Sequence, residues 1–165
     1  MLQPQLKLVL GSPANANLAG REVRELQQDY PVETNGLIVT VPLGFQSDGA
    51  SIPKSCQWLV GHPFETDFRA AALVHDWLYY THLARNMTRG KLVPITRENA
   101  DDCLLDLLAQ NGVGWIRRQS IYRAVRLAGG GHWDNDAEDK RYLARFAAQI
   151  TESERDPTIY GLRSA

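Results

Sequence analysis

The sequence predicts an α+β fold, with a small amino-terminal antiparallel β-sheet followed by about four helices. Three observations support this class. Residues 1–43 contain short strand-like apolar runs that are closed by turn residues. Residues 44–63 are rich in glycine and proline but also hold large apolar side chains. Residues 64–150 carry apolar residues at helical spacing, with capping residues where helices should begin and end.

The strand-rich part contains three candidate strands. Leucines alternate with other residues along Leu6–Leu10, which is the period of a strand. The segment "REVRELQQDYPVE" is ambiguous, and we interpret it as a strand that ends near Pro31. The segment "NGLIVTVP" is a turn dipeptide followed by a β-rich run that Pro42 closes. A sheet of two or three strands is therefore expected.

Residues 44–63 are predicted to form a structured loop. The segment "GFQSDGASIPKSCQWLVGHP" has no regular periodicity, yet linkers seldom carry so many large apolar groups. Its expected anchors are Phe45, Ile52, Trp58 and Leu59.

Helices account for most of the remaining chain. They are predicted at about Thr66–Leu83, from Thr96 to Asn111–Gly112, at Trp115–Ala128 and at Asn135–Ile150. Thr96 is a typical N-cap, and the run "GGG" should stop the third helix. We interpret the chain as one domain, 1–165, with a polar tail at 151–165. The solvated face of the third helix is expected to carry Arg117, Arg118, Arg123 and Arg126.

Composition excludes several classes of function. The chain is 44% apolar and 22% charged with a net charge of −1, and it has neither a basic block typical of nucleic-acid binding nor a basic amphipathic helix typical of binding to a membrane surface. No run is long enough for a transmembrane span, and no targeting signal is expected. Cys56 and Cys103 show neither disulfide-framework nor metal-site spacing, so both are interpreted as reduced in a protein made in the cytoplasm.

The segment "AAALVHDWLYY" places a histidine and an aspartate on a helix that otherwise appears buried. Buried polar groups need partners. His75 and Tyr79 lie one turn apart at the edge of the apolar stripe, whereas Asp76 is rotated by about 100° from His75.

The second helix offers a partner for His75. Asp101 shares a face with apolar residues of its helix, whereas Asp102 lies on a wetter face. If the two helices pack antiparallel, His75 and Asp101 meet across their interface. An aspartate that accepts from one imidazole nitrogen fixes the tautomer and leaves the other nitrogen as a base. Asp76 would then be placed to ligate a hard cation together with loop carbonyls.

These residues resemble the core of secreted phospholipase A₂, its bacterial and fungal branch above all. The similar segments are "HDWLY" and "RENADD". The resemblance implies that His75 activates water, that Asp76 binds calcium, and that Tyr79 and Asp101 support the histidine. It therefore implies calcium as a cofactor and a phospholipid or another acyl ester as substrate.

The sequence departs from phospholipase A₂ at the calcium loop. The glycine-rich loop with cysteines and the stapling disulfides are missing, and only "SDGASIP" stands where such a loop would be. Asp48 would supply a carboxylate and Gly49 a carbonyl. We expect this segment to fold over the amino-terminal half of the first helix.

A second resemblance covers more of the chain, from about Leu43 to Trp133. The segments "PLGFQSDGASIPKSCQWLVG", "AAALVHDWLYY", "TRENADD" and "GVGWIRRQSIYRAVRLAGGGHW" are similar to an uncharacterised family of phage and prophage proteins, domain-of-unknown-function family 1353. This resemblance implies a phage or prophage origin and no particular activity.

Two functions remain open. One is a phage-encoded, calcium-dependent hydrolase of acyl esters that uses His75 and Asp101. The other is a non-catalytic virion protein of the tail, baseplate or connector that keeps the same scaffold and binds other phage structural proteins. In that case the His75–Asp101 pair is a structural hydrogen-bond network. Either protein would be made in the host cytoplasm, and the second would be incorporated into the virion.

Overall fold

A computed structural model describes residues 3–49, 66–134, 137–148 and 150. Its strands are β1 (Leu6–Leu8), β2 (Arg24–Leu26), β3 (Tyr30–Thr34), β4 (Leu37–Val41), β5 (Gln46–Ser47), β6 (Leu83–Asn86) and β7 (Leu92–Pro94). Its α-helices are α1 (Thr66–Thr81), α2 (Arg97–Gln110), α3 (Trp115–Ala128), α4 (Gly130–Trp133) and α5 (Ala137–Leu143). The predicted α+β class is confirmed.

The strands form two antiparallel sheets rather than the single small sheet that we expected. The first has the order β1-β2-β5, and the second has the order β3-β4-β6-β7. Strands β6 and β7 lie between α1 and α2 in the chain and were not predicted, because neither segment is long enough to show a period. Their pairing with β4, Leu37 opposite Asn86 and Ile38 opposite Arg85, attaches this hairpin to the amino-terminal strands.

Pro31 does not end a strand, so that expectation was wrong. It lies inside β3, where it pairs with Thr40 of β4. Strand β3 is at the edge of its sheet, where a proline that cannot donate a hydrogen bond is tolerated. Alternate residues of β3 are buried and exposed, and Pro31 is on the exposed side.

Helix α1 is the centre of the core. Residues Ala70–Val74 are buried on all sides, and the helix packs against both α2 and β4. It ends at Thr81 rather than at Leu83, because His82 has a φ of 54° and turns the chain into β6.

Helix α2 begins at a reciprocal cap. The Thr96 hydroxyl accepts from the Asn99 amide, while the Asn99 side chain accepts from the Thr96 amide. The Ile95 amide bonds to the His82 carbonyl, so the end of α1 lies beside the start of α2. The chain thus approaches this junction along α1 and leaves it along α2, as in an antiparallel helix pair.

The bounds of α3 agree with the prediction, but the chain after it does not. The short helix α4 begins inside the glycine run that was expected only to stop the third helix. The predicted fourth helix, Asn135–Ile150, is interrupted in the structure: α5 ends at Leu143, a 3₁₀ turn, Ala144–Phe146, follows, and Ala147, Ala148 and Ile150 are helical again. Helix periodicity alone does not distinguish these two kinds of turn.

An aromatic cluster joins the start of the loop region to the helices. Phe45 is fully buried, and its ring lies 5.1 Å from that of Trp77 and 5.7 Å from that of Tyr80, both nearly perpendicular. Tyr142 and Phe146 close the other side. The other expected anchors, Ile52, Trp58 and Leu59, lie outside the described residues, as does Cys56.

Among the described residues, no helix combines the length and the apolar character that crossing a bilayer requires.

Candidate functional site

His75 and Asp101 form a buried hydrogen-bonded pair between α1 and α2. The distance from His75 Nε2 to Asp101 Oδ1 is 2.8 Å, and the two residues are 5% and 0% exposed. The expected contact is therefore present. Since an ionised carboxylate can only accept, Nε2 carries the proton of the bond, and a neutral imidazole then has its lone pair on Nδ1.

Asp101 accepts from three side chains. The Tyr79 hydroxyl donates to Oδ1 at 2.7 Å, as expected, and Arg126 Nη1 donates to Oδ2 at 2.9 Å. Burial acts to raise the pKa of Asp101, but the bonds from His75, Tyr79 and Arg126 outweigh it, and the pKa falls below its ordinary 3.8. Asp101 is therefore ionised at neutral pH.

Tyr79 is fixed as a donor in this arrangement. Burial, and then the neighbouring Asp101 carboxylate, raise the pKa of Tyr79. Its ring lies 4.1 Å from that of His75. We call His75, Tyr79, Asp101 and Arg126 the Asp101 network.

Arg126 was expected on the solvated face of α3, and this assignment was wrong. It lies one turn after Tyr122, whose hydroxyl donates to Asp102 at 2.9 Å. Tyr122 and Arg126 thus contact the two adjacent aspartates of α2, Asp102 and Asp101 respectively. Asp102 is more exposed than Asp101, which confirms the predicted helical phase.

The end of α3 lies directly against Tyr79. A Cβ atom on Gly129 would be 2.7 Å from the Tyr79 hydroxyl oxygen and 2.8 Å from the Val125 carbonyl oxygen, so only glycine permits this approach. Trp133 packs edge-on against Tyr79 at 5.1 Å between ring centres and stacks on His82 at 3.9 Å. The segment after α3 therefore holds the tyrosine in place.

Asp76 faces a different environment from its neighbour His75. Ser47 Oγ donates to Asp76 Oδ2 at 2.5 Å, and the Gly49 amide donates to Ser47 Oγ at 2.9 Å. The segment "SDG" thus contacts α1, but in its carboxy-terminal half rather than the expected amino-terminal half. Ser47 belongs to strand β5, which is paired with β2. Residues 50–53 of "SDGASIP" lie outside the described part.

Asp48 is bonded to an arginine. Arg21 Nη1 lies 2.5 Å from Asp48 Oδ2, and this hydrogen bond raises the pKa of Arg21, with a smaller contribution from Asp76. We call Arg21, Ser47, Asp48 and Asp76 the Asp76 cluster. Nothing in the sequence indicated Arg21, because it lies in a turn that is far along the chain from α1.

The Asp76 cluster does not fit a calcium ion as it stands. Calcium takes six to eight oxygen ligands, and the guanidinium of Arg21 already neutralises Asp48. Across the described ranges, no three histidine, cysteine, aspartate or glutamate side chains are grouped to hold a metal. Calcium at Asp48, Gly49 and Asp76 therefore stays a prediction, and it requires Arg21 to leave Asp48.

Comparisons with known proteins identify the family of this chain. Residues 24–125 match the family model described as "Protein of unknown function (DUF1353)". The match includes both aspartate-centred groups except Arg21 and Arg126, which lie just outside it. No solved structure is significantly similar to the chain.

One relative is the uncharacterised protein y4jT of Sinorhizobium fredii (strain NBRC 101917 / NGR234). It is 39% identical over 62 residues, which are 37% of this chain and 18% of that protein. The similarity thus spans less than a fifth of the relative's length. The family model covers more than half of this chain, and the chain belongs to the DUF1353 family of proteins of unknown function.

Proposed function

We propose that this protein hydrolyses acyl esters with His75 as the general base. The observation that supports the proposal most is the bond between His75 Nε2 and the buried, ionised Asp101. It fixes the tautomer in which Nδ1 carries the lone pair that a base needs.

The proposed reaction starts with water between Nδ1 and the ester carbonyl. Nδ1 takes a proton as the water oxygen bonds to the carbonyl carbon, and the carbonyl electrons move to its oxygen. The tetrahedral intermediate collapses with cleavage of the bond to the leaving oxygen, which receives the proton from Nδ1. The products are a carboxylic acid and an alcohol, and Asp101 stabilises the imidazolium without taking its proton.

We infer the substrate class from the resemblance to phospholipase A₂, which favours a phospholipid. A phage or prophage origin is part of the same proposal, as is synthesis in the host cytoplasm. Membership of a family of unknown function is compatible with this chemistry but does not supply it.

A second candidate is a non-catalytic virion or assembly protein. One observation favours it: Arg126 extends the Asp101 network to α3, so that a single carboxylate cross-links three helices. A buried carboxylate that accepts from three side chains in this way can serve the fold alone.

His75→Gln separates the two candidates. The experiment measures hydrolysis of phosphatidylglycerol and of short-chain esters together with the free energy of unfolding. His132→Gln is the control, because His132 is exposed. For a hydrolase, His75→Gln abolishes turnover and the control does not. If the wild-type protein hydrolyses no ester and His75→Gln lowers the free energy of unfolding by about 1–3 kcal/mol, the protein is the non-catalytic one.

Calcium is tested by titration of the wild-type protein, Asp76→Asn and Arg21→Gln. If the site exists, Asp76→Asn removes binding, and Arg21→Gln strengthens it because a competing cation has been removed. No calcium binding to either the wild-type protein or Arg21→Gln would rule the ion out and leave the reaction without its expected oxyanion stabiliser.

A further inference from the structure

The outer face of α3 carries large apolar side chains that are exposed to solvent. Seven large apolar side chains are exposed in the described residues, and three of them are on this helix: Trp115 at 64%, Ile116 at 76% and Leu127 at 88%. Ile116 and Leu127 are three helical turns apart and therefore lie on the same line of the helix surface. The opposite line, with Ile121 and Val125, is buried.

The same helix is strongly basic. The sequence of α3, "WIRRQSIYRAVRLA", contains four arginines and neither aspartate nor glutamate. Arg126 is neutralised by Asp101, whereas Arg123 is exposed and lies between Ile116 and Leu127 on the outer line. Two exposed apolar side chains on one line, with an arginine between them and a tryptophan beside Ile116, are a surface chemistry of helices that lie in a membrane interface. This surface corrects the expectation that the chain has no basic amphipathic helix.

We propose that the outer face of α3 docks this protein on an anionic lipid surface. The helix axis would lie parallel to the membrane, with Ile116 and Leu127 inserted below the headgroups and Trp115 at headgroup level. Arg123 would pair with lipid phosphates. The charge decides the class of partner, because a helix with only positive charges is attracted to an anionic surface and gains nothing from a neutral one.

Docking goes beyond ester hydrolysis and does not depend on it, since lipid binding needs no turnover. It would place the Asp101 network one helix away from the membrane, because Arg126 belongs to α3.

The experiment is co-sedimentation of the full chain with vesicles. Vesicles of phosphatidylcholine alone are compared with vesicles that also contain phosphatidylglycerol, at low and at high salt. We expect binding only to the anionic vesicles and a marked loss at high salt. Ile116→Gln with Leu127→Gln should lower the partition coefficient at least about tenfold, and Arg123→Gln should lower it about fivefold.

Two control variants match these substitutions in chemistry and exposure. Leu10→Gln removes a leucine that is 87% exposed at another place. Arg89→Gln removes an exposed arginine of the β6–β7 turn. Both should bind vesicles as the wild-type protein does.

Three results would overturn the proposal. One is a wild-type protein that does not sediment with anionic vesicles at low salt. Another is an equal loss in Leu10→Gln, which would mean nonspecific adhesion. The third is a wild-type oligomer, measured by light scattering, that Ile116→Gln with Leu127→Gln dissociates while vesicle binding is absent; the face would then be a protein interface.

Discussion

His75 and Asp76 are neighbours on α1, yet they belong to two different polar groups. In the Asp101 network, the buried Asp101 carboxylate lies between three helices and receives three donors, of which Arg126 is 31% exposed. The Asp76 cluster joins α1 to β5 and to a turn of the amino-terminal part, and Arg21 is partly exposed there.

The difference separates the parts of the proposed chemistry. A rotation of about 100° along a helix sends adjacent side chains to different surroundings. The Asp101 network can orient a base with little freedom to move, because His75, Tyr79 and Asp101 are all buried. The Asp76 cluster has bonds that a ligand can replace at smaller cost. In the proposed chemistry, the helices therefore orient His75, whereas the Asp76 cluster between α1 and β5 can rearrange around a ligand.

The largest expected effect is that of Asp101→Asn. Loss of this charge leaves the buried donors His75 and Tyr79 with a weaker, neutral acceptor and should lower the free energy of unfolding by about 3 kcal/mol at neutral pH, measured by urea denaturation. Asp102→Asn, the control next to it, should cost about 1 kcal/mol or less. Equal losses of unfolding free energy in the two variants would mean that the Asp101 network stabilises the fold no more than the Tyr122–Asp102 bond does.

The same variant has a defined pH dependence. Because folding lowers the pKa of Asp101, its stabilisation is present above the unfolded value of about 3.9 and is lost as pH falls through the lowered folded value. The difference in unfolding free energy between the wild-type protein and Asp101→Asn should therefore narrow below about pH 4. A gap that stays constant down to acid pH would contradict the ionised state assigned to Asp101.

Gly129→Ala should have the next largest effect. The new Cβ would meet the Tyr79 hydroxyl and the Val125 carbonyl below contact distance, so α3 or Tyr79 must shift, at about 1–3 kcal/mol in unfolding free energy. Gly131→Ala is the control, since a Cβ there has no neighbour within 4 Å, and it should change stability by less than about 0.5 kcal/mol. A neutral Gly129→Ala would show that Tyr79 is not held by the end of α3.

Ser47→Ala tests the Asp76 cluster. Asp76 would lose a charge-assisted donor at a site that remains partly open to water, so a loss of about 1–2 kcal/mol in thermal or urea unfolding is expected. Ser120→Ala, which removes only a bond to the Ile116 carbonyl of the same helix, should change stability by less than about 0.5 kcal/mol. If Ser47→Ala costs as much as Asp101→Asn, the two groups do not differ in rigidity.

Arg21→Gln should have the smallest effect on stability. Its ion pair with Asp48 is partly exposed, so the loss should be less than about 1 kcal/mol and smaller still in high salt. Arg24→Gln, which breaks the exposed pair with Glu22, is the matched control. A much larger loss for Arg21→Gln would mean that the strand side is as tightly held as the helical side.

Sequence patterns predicted the features that depend on residues close together in the chain, such as helical phase and helix caps. Helical phase alone brought His75, Tyr79 and Asp101 to one interface, and the Thr96 cap located the start of α2. The α+β class followed from the separation of strand-like and helical segments.

Contacts between segments that are far apart in the chain could not be predicted from the sequence. Arg126 resembles the other arginines of α3 until its position across from Asp101 is known. One pattern could have predicted the role of Arg126. Tyr122 and Arg126 are one helical turn apart, as is needed to contact two adjacent aspartates. Arg21 had no such signal, because the turn that carries it has no period. The hairpin of β6 and β7 was missed because each strand depends on the sheet for its stability.

The pairing of β4 with β6 also determines how this chain can fold. These strands lie on opposite sides of α1 in the sequence, so their register cannot form until a long loop has closed, at an entropic cost that rises with its length. Hairpins β3–β4 and β6–β7 are local and can form early, whereas the four-stranded sheet must wait for α1 to dock. Contacts of such long range slow folding, and the rate-limiting barrier should therefore lie at this docking step.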